Sequence, residues 1–193
     1  TSSDYKTANM KDYKGMNFLN QILKMKKKKI LFACHTFSDA PHHSGKFVFN
    51  DYFEQFKDTL KFAYDKGDEN VWIFRSHPST NMYNEEKIFF EVISNYKKKN
   101  IFLCPKNVPI QKLLDLCDTV ITGRGTIGME SAALGKKVIT AGSAPYSNLD
   151  IVFQANSKEE YFYYLKNLKK IKKKISLSKI KKISKKLIYI FEN

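Results

Sequence analysis

The chain has 193 residues, of which 42% are hydrophobic and 14% aromatic, and this composition indicates one packed globular domain rather than a disordered chain. Its formal net charge is +15, but eleven lysines and no acidic residue lie between Lys166 and Lys186, so the excess is local and does not by itself indicate nucleic-acid binding. Three cysteines without Cys-x-x-Cys spacing argue against a zinc site or a disulfide framework.

Short apolar segments alternate with amphipathic ones along the chain. This predicts an α/β fold, a Rossmann-like parallel sheet with helices on both faces, followed by C-terminal amphipathic helices. Residues 1–28 are polar, and we interpret them as a lead-in segment to one domain over 29–193. Strands are predicted over 29–34, 71–75, 101–104, 119–122 and 137–142. Helices are predicted over 50–66 with Asn50 as the cap, over 84–98, from Pro109, over 126–134, from Ser157 to about 173, and over 178–190.

Polar clusters follow four of these strands, at the points where the strands end. They read HTFSDAPHHSG after the first strand, RSHPST after the second, GRGTIGME after the fourth and GSAPYS after the fifth. Because ligands bind at the carboxyl ends of the strands in an open parallel sheet, we expect these clusters to form one continuous site.

The cluster after the fourth strand contains the pattern Gly-x-Gly-x-x-Gly over 123–128. A dinucleotide-binding turn belongs to the first strand-turn-helix unit, and the next strand then ends in an acidic residue. Here the turn lies in the fourth unit, and no acidic residue follows the next strand until Asp150. A P-loop is also excluded, because no Gly-Lys-Ser/Thr follows. The turn is therefore predicted to bind a nucleotide, but not a nicotinamide or flavin dinucleotide.

The residues of this turn are candidate ligand contacts. Gly123 and Gly125 allow the backbone to approach a ligand closely, with a positive φ at Gly125 if the turn requires one. Thr126 adds a hydroxyl group at the start of a helix whose free N–H groups attract anions. Glu130 lies just over one turn into that helix, where its carboxylate either accepts hydrogen bonds from a ribose or complements the helix dipole.

The cluster after the second strand adds a histidine and an arginine. Pro78 imposes extended geometry on His77 and turns its ring outward from the strand end. His77 and Arg75 are therefore predicted to contact a phosphate group.

The loop after the first strand gathers an acidic residue and two histidines. We expect Ser38 and Asp39 to line the cleft, with His42 or His43 as a candidate general base. Adjacent histidines rarely chelate one ion together, so no metal site is expected. Tyr146 either stacks on a base or sugar or is an exposed loop aromatic.

RSHPS, followed some 40 residues later by CDTVITGRGTIGMESAALGKKVITAGSAPYS, resembles the C-terminal, donor-binding half of GT-B glycosyltransferases of bacterial surface polysaccharides. The similarity is to the capsule polysaccharide biosynthesis family that includes Kdo transferases, and it covers about residues 29–165. A His-Pro pair and a Ser/Thr-x-Gly-x-Glu-(Ser/Ala)-Leu-like stretch of that family are matched at 77–78 and 126–134. Teichoic-acid glycerophosphotransferases are similar in RSHP and DTVIT, but favour Asp-Tyr-Ser-Ser at 123–126.

The resemblance implies that His77 and Thr126 contact the donor phosphates and that Glu130 holds the nucleotide ribose, with no bound metal or other cofactor. It also implies that the acceptor site, and usually the catalytic base, lie on an N-terminal domain. The predicted donor-binding residues are Arg75, His77, Gly123, Arg124, Gly125, Thr126, Gly128, Glu130 and Tyr146.

The function predicted in this way is that of a donor-binding domain in a glycosyltransferase of capsule or related surface polysaccharide synthesis. The expected partners are a nucleotide-activated sugar, with a cytidine nucleotide favoured by the resemblance, and a glycan or lipid-linked acceptor. A CDP-polyol phosphotransferase or a nucleotide-sugar epimerase domain are alternatives that share the scaffold. An alternative of another class is a non-catalytic basic module that binds a membrane or nucleic acid.

No apolar run approaches the roughly 20 residues of a membrane span, so we expect a soluble, cytoplasmic protein. The lysine-rich C-terminal segment is expected to expose its lysines to water, with peripheral contact at the anionic inner face of the cell membrane as the next interpretation. Nucleic acid is not an expected partner, because the chain has only two arginines. The apolar positions expected to pack on the body are Leu168, Ile171, Ile175, Ile180, Ile183 and Leu187.

Overall fold

The computed structural model describes residues 13–43, 45–173 and 175–192, and within them six parallel strands form one sheet. In chain order these are β1 (Lys28–Ala33), β2 (Asn70–Arg75), β3 (Ile101–Leu103), β4 (Thr119–Thr122), β5 (Lys137–Thr140) and β6 (Phe153–Gln154). Across the sheet they lie in the order β3-β2-β1-β4-β5-β6. The chain progresses outward in opposite directions from β1 and from β4, so a topological switch point lies between these two strands.

Helices connect the strands and cover both faces of the sheet. They are α1 (Tyr13–Lys24), α2 (Tyr52–Lys66), α3 (Glu86–Ser94), α4 (Ile110–Leu116), α5 (Ile127–Ala133), α6 (Lys158–Lys166) and α7 (Leu177–Glu192). Two short 3₁₀ helices, Pro78–Asn81 and Ser147–Leu149, follow β2 and β5.

The core is divided by the sheet, because alternate residues of each strand point to opposite faces. On one face, Phe32 of β1 packs with Phe56 of α2 and Tyr161 of α6. On the other face, Leu31 packs with residues of α1 and α4. Met129 of α5 and Ile180 of α7 form a third cluster, over β5. This arrangement confirms the predicted Rossmann-like α/β fold with helices on both faces.

The lead-in segment predicted over 1–28 needs a correction. Its residues 1–12 lie outside the described part of the chain, but α1 belongs to the domain. Phe18, Leu19 and Ile22 are buried in the same cluster as Leu31 of β1. These three side chains fall on one side of the helix, whereas Met16 and Leu23 are exposed, and their burial joins α1 to the sheet.

Several helix ends also differ from the prediction, and α3 spans Glu86–Ser94 instead of 84–98. α2 is capped by Asp51 rather than Asn50, because the Asp51 carboxylate accepts a hydrogen bond from Glu54 N at 2.6 Å. The Glu54 carboxylate accepts a hydrogen bond from Asn50 N, also at 2.6 Å, one residue before the N-cap position that a capping box uses. α6 begins after the predicted Ser157 cap, but it ends at Lys166 rather than at about residue 173. The backbone N–H of Asn167 closes its last turn by donating to Tyr163 O and Tyr164 O.

The C-terminal segment packs as predicted. Leu168 and Ile171 pack with the core cluster that contains Phe32, Phe56 and Tyr161. Four further apolar side chains contact the third cluster, over α5, namely Ile175, Ile180, Ile183 and Leu187. In the described part of the chain, no helix combines the length and the hydropathy needed to cross a bilayer.

Candidate functional site

A cleft of about 340 Å³ opens at the carboxyl edge of the sheet, at the switch point between β1 and β4. The ends of β1, β2 and β4 and the start of α5 supply its walls. The lining residues are Ala33, Cys34, His35, Arg75, Ser76, His77, Pro78, Ser79, Ile110, Thr122, Gly125, Thr126, Ile127 and Glu130. The structure thus brings together residues that are up to 97 positions apart, as the carboxyl-end pattern predicts.

The glycine turn (residues 123–126) is held from two sides. On one side, the backbone N–H of Arg124 donates a hydrogen bond to His35 Nε2 at 3.1 Å. On the other side, the hydroxyl group of Tyr146 donates to the carbonyl oxygen of Gly125 at 2.5 Å. The turn is therefore fixed before any ligand binds.

Gly123 and Gly128 are required by packing rather than by backbone conformation. A Cβ atom on Gly123 would lie 2.6 Å from Cε1 of the buried Tyr52, and a Cβ on Gly128 would collide with the Tyr146 hydroxyl group. Positive φ angles among the described glycines occur instead at Gly45, Gly135 and Gly142. The turn therefore does not require a positive φ at Gly125.

His35 is a site residue that the sequence prediction missed. Its ring stacks on Tyr52, with centroids 4.2 Å apart, and lies parallel to the ring of His77 at 6.3 Å. Because Nε2 accepts from Arg124 N, the proton of the neutral ring is on Nδ1. Burial, assisted by His77, lowers the pKa of His35 to about 4, so the ring is neutral at physiological pH. The nearby Asp39 carboxylate acts in the opposite direction.

His77 lines the cleft as predicted, and its tautomer follows from its surroundings. It caps the 3₁₀ helix after β2, with its Nδ1 accepting a hydrogen bond from Ser79 N at 3.2 Å. The neutral ring therefore carries its proton on Nε2, which is left as a hydrogen-bond donor. Burial lowers the pKa of His77, against the carboxylates of Asp39 and Glu85. His77 is thus a neutral hydrogen-bond donor in the lining of the cleft.

Arg75, Thr126 and Glu130 also line the cleft as predicted. One terminal nitrogen of Arg75 donates to Val108 O at 2.6 Å, which fixes the guanidinium group at the cleft wall. Glu130 stands in the first turn of α5, partly exposed, next to the hydroxyl-bearing Thr126. Cationic, hydroxyl and carboxylate groups therefore converge on one volume.

Four predicted donor-binding residues are placed differently. The Arg124 side chain turns away from the cleft and donates to Pro41 O at 2.5 Å. Tyr146 is only 1% exposed, so its ring offers no face to a base or sugar and instead supports Gly125 from below. Gly123 and Gly128 do not line the cleft, because they pack on Tyr52 and Tyr146.

Beyond His35, the loop after β1 lies beside the cleft, and the predicted Ser38 and Asp39 do not line it. Ser38 is bound by the buried Glu85 carboxylate, which accepts hydrogen bonds from Ser38 N at 2.6 Å and from its hydroxyl group. Asp39 is exposed, with its carboxylate 4.0 Å from His35 Nδ1. The His42 ring is hydrogen-bonded to Asn50 O at 2.9 Å. Within the described residues, no three acidic, histidine or cysteine side chains form a metal-ligand set.

His43 is exposed on the same loop and is not a lining residue of the cleft. Neither candidate general base is therefore in the position that the prediction gave it. The loop is anchored at its far end by an isolated antiparallel bridge between Phe47 and Gly142.

Replacing Gly128 by alanine is expected to lower the free energy of unfolding by about 1–3 kcal/mol, because the new methyl group collides with the buried Tyr146 hydroxyl. Alanine would otherwise favour the helix by about 1 kcal/mol, so a loss cannot come from helix propensity. Urea unfolding measures the change. Adding Tyr146→Phe should recover part of the loss, and Gly125→Ala, whose Cβ has more room, should cost less. An unchanged stability of Gly128→Ala would contradict this packing.

Several solved structures share this fold. KpsC, a β-Kdo 2,7-transferase of Thermosulfurimonas dismutans, is similar with a TM-score of 0.53 and 14% identity, over 92% of this chain and 53% of that chain. The UDP-GlcNAc 2-epimerase of Methanocaldococcus jannaschii, in complex with UDP-GlcNAc and UDP, gives 0.52 and 17% over 97% and 51%. S. aureus MnaA, a co-structure with UDP, gives 0.54 and 15% over 88% and 42%.

At these identities the likeness shows the fold alone, and this chain spans about half the length of these proteins. None of the curated proteins matches the sequence. The model of one sequence family, described as capsule polysaccharide biosynthesis protein, matches residues 4–186. That match includes α1, all six strands and every residue that lines the cleft. The chain therefore belongs to the capsule polysaccharide biosynthesis protein family.

Proposed function

We propose that this chain is the donor-binding domain of a GT-B glycosyltransferase that acts in capsule or related surface polysaccharide synthesis. The observation that carries the proposal is the convergence of His77, Arg75, Thr126 and Glu130 on one cleft at the switch point of the sheet. The cleft volume of about 340 Å³ falls within the range of roughly 300–1,000 Å³ that small-molecule sites occupy.

The side chains of the cleft divide into two chemical groups. His77 Nε2–H, the guanidinium group of Arg75 and the Thr126 hydroxyl are hydrogen-bond donors suited to phosphate oxygens. The Glu130 carboxylate is an acceptor, suited to the hydroxyl groups of a ribose. We assign the phosphates of a nucleotide-activated sugar to the donors and its ribose to Glu130. The family resemblance favours a cytidine nucleotide as the carrier of this sugar.

In glycosyl transfer, the bond between the anomeric carbon and the phosphate oxygen breaks, and the acceptor hydroxyl oxygen forms a bond to that carbon. Negative charge develops on the leaving phosphate, and donors fixed in advance stabilise it without reorganisation. His77 is held by Ser79 and Arg75 by Val108, so both meet this requirement. We assign the acceptor site and the base that takes the hydroxyl proton to the remainder of the enzyme, since this chain spans about half the length of the similar structures. A cytoplasmic location, where nucleotide-activated sugars are made, belongs to this proposal.

Titration calorimetry of the chain with CMP, CDP, UDP, GDP and cytidine tests the proposal. We expect binding of at least one nucleotide, with the cytidine nucleotides preferred. The His77→Ala variant should bind nucleoside diphosphates about tenfold more weakly, because a hydrogen bond to a charged acceptor is lost, while its affinity for cytidine changes little.

His43→Ala, which alters an exposed histidine outside the cleft, is the matched control and should bind like the unmodified chain. Equal losses for nucleotide and nucleoside would show that His77 shapes the pocket instead of contacting phosphate. A folded chain that binds none of these compounds would overturn the proposed function.

A nucleotide-sugar epimerase is the second candidate, since the M. jannaschii epimerase is similar with nearly the same TM-score, 0.52, as the Kdo transferase, 0.53. Both activities would use the same cleft. Product analysis of the full-length enzyme with nucleotide sugars separates them: an epimerase changes the sugar without an acceptor, and a transferase does not.

A further inference from the structure

The outward side of α7 carries a row of positive charge, which we call the lysine face and define as Lys179, Lys182, Lys185 and Lys186. Spacings of three and four residues place these side chains on one side of the helix, and all four are exposed. Tyr189 follows at the same spacing, at 70% exposure. The lysine face therefore ends in an amphipathic aromatic side chain.

The opposite side of α7 is buried, which fixes the direction in which the lysines point. Ile180 and Ser184 are buried, and Ile183 and Leu187 pack against the cluster over α5. The helix cannot turn its apolar side toward a partner without leaving the core. Over residues 179–187, a partner of α7 therefore meets the lysine face, whereas Ile190 and Phe191 are exposed beyond it.

The positive charge of this region is uncompensated by the protein itself. Eleven lysines and no acidic residue lie between Lys166 and Lys186, whereas the whole chain carries a net charge of +15. Among the described residues, this stretch forms one ion pair, between Lys169 and Glu69. The lysines of this stretch are thus mostly without acidic neighbours along the chain, and four of them form the lysine face.

The chemistry of this surface fits a broad anionic partner. It contains lysines and no arginine, whereas recognition of nucleic-acid bases and bidentate phosphate contacts favours arginine. Lysines near a bilayer that contains anionic lipid are attracted to it in a roughly additive way, and a tyrosine is at home at the interface between headgroups and acyl chains.

We propose that the lysine face of α7 binds the surface of a membrane that contains anionic phospholipid. This interaction is separate from nucleotide binding, because the lysine face and the cleft share no residue. Such binding would keep the domain at the surface where a lipid-linked acceptor is found.

Co-sedimentation with vesicles tests the proposal, comparing phosphatidylcholine alone with phosphatidylcholine plus phosphatidylglycerol. We expect the chain to sediment with the anionic vesicles at low salt, to be released at high salt, and to ignore the neutral ones. The triple variant Lys182→Gln, Lys185→Gln, Lys186→Gln should bind anionic vesicles at least about tenfold more weakly.

The matched control carries the same loss of charge elsewhere, as Lys97→Gln, Lys99→Gln, Lys112→Gln. These lysines are exposed after α3 and on α4. Its vesicle binding should change by less than about threefold, and circular dichroism establishes that both triple variants are folded.

Three results would overturn the proposal. The first is the absence of binding to anionic vesicles at low salt. The second is an equal loss in both triple variants, which would show that only total charge matters. The third is displacement of the chain from the vesicles by duplex DNA, at a DNA concentration below that of accessible anionic lipid. If DNA binding also depended on the lysine face, nucleic acid would be identified as the partner. Nucleotide titration of the same variants leaves the proposed function testable on its own.

Discussion

Replacing Glu130 by alanine is expected to weaken nucleotide binding by about one to two orders of magnitude. The physical reason is the loss of hydrogen bonds to a charged acceptor, which are worth about 1.5–3 kcal/mol. Glu130 stands in the first turn of α5, where it also complements the helix dipole, so the free energy of unfolding should fall by only about 0.3–1 kcal/mol. Calorimetry measures the affinity, and urea unfolding measures the stability.

The control for this prediction is Glu159→Ala, which removes an exposed acidic residue from the first turn of α6. It should cost a similar stability through the dipole and leave nucleotide binding unchanged. If Glu130→Ala is destabilised while its affinity for nucleotide is normal, the carboxylate serves the helix and not the ligand.

Acidification from pH 6.5 to pH 4 is expected to lower the free energy of unfolding by up to about 3 kcal/mol through His35 alone. Burial lowers the pKa of His35 from 6.5 to about 4, so in this window the unfolded chain binds a proton that the folded chain does not. Stability therefore rises with pH between these values and is lost as the pH falls. Protonation of Nε2 would also replace the acceptor that Arg124 N requires.

Urea unfolding across this pH range, in the unmodified chain and in His35→Gln, isolates the contribution. Carboxylates add their own acid sensitivity to both proteins, so the difference between the two curves carries the information. His43→Gln removes an exposed imidazole from the same loop and should keep the full pH dependence. If His35→Gln shows the same slope as the unmodified chain, the histidine does not titrate as its surroundings require.

The sequence predicted the sheet and part of the cleft for identifiable reasons. Apolar runs mark the strands, and the rule that sites form at the carboxyl ends of strands selects His77, Thr126 and Glu130 without any knowledge of contacts. The same rule applies to His35, which lies two residues beyond the end of β1 and lines the cleft. That signal was present in the sequence.

Other features could not be predicted because they depend on contacts between distant residues. Glu85 binds the backbone of Ser38, 47 positions away, and nothing local marks it. The sequence next to Tyr146 is that of a loop, where an aromatic side chain is often exposed. Only its packing against Gly125 shows that Tyr146 is buried. β6, with two residues, is too short to show any periodicity.

The hydrogen bond between Tyr146 and Gly125 limits which segments can be exchanged between proteins of this fold. The glycine turn belongs to one βα unit and Tyr146 to the next, yet a larger residue at Gly128 is incompatible with the tyrosine. A recombination event, natural or engineered, that imports the turn of a relative without the loop after β5 would produce a mismatched pair. The smallest exchangeable module that keeps this pair matched therefore extends from the glycine turn through Tyr146, and libraries that enlarge Gly128 without changing Tyr146 should contain few members of normal stability.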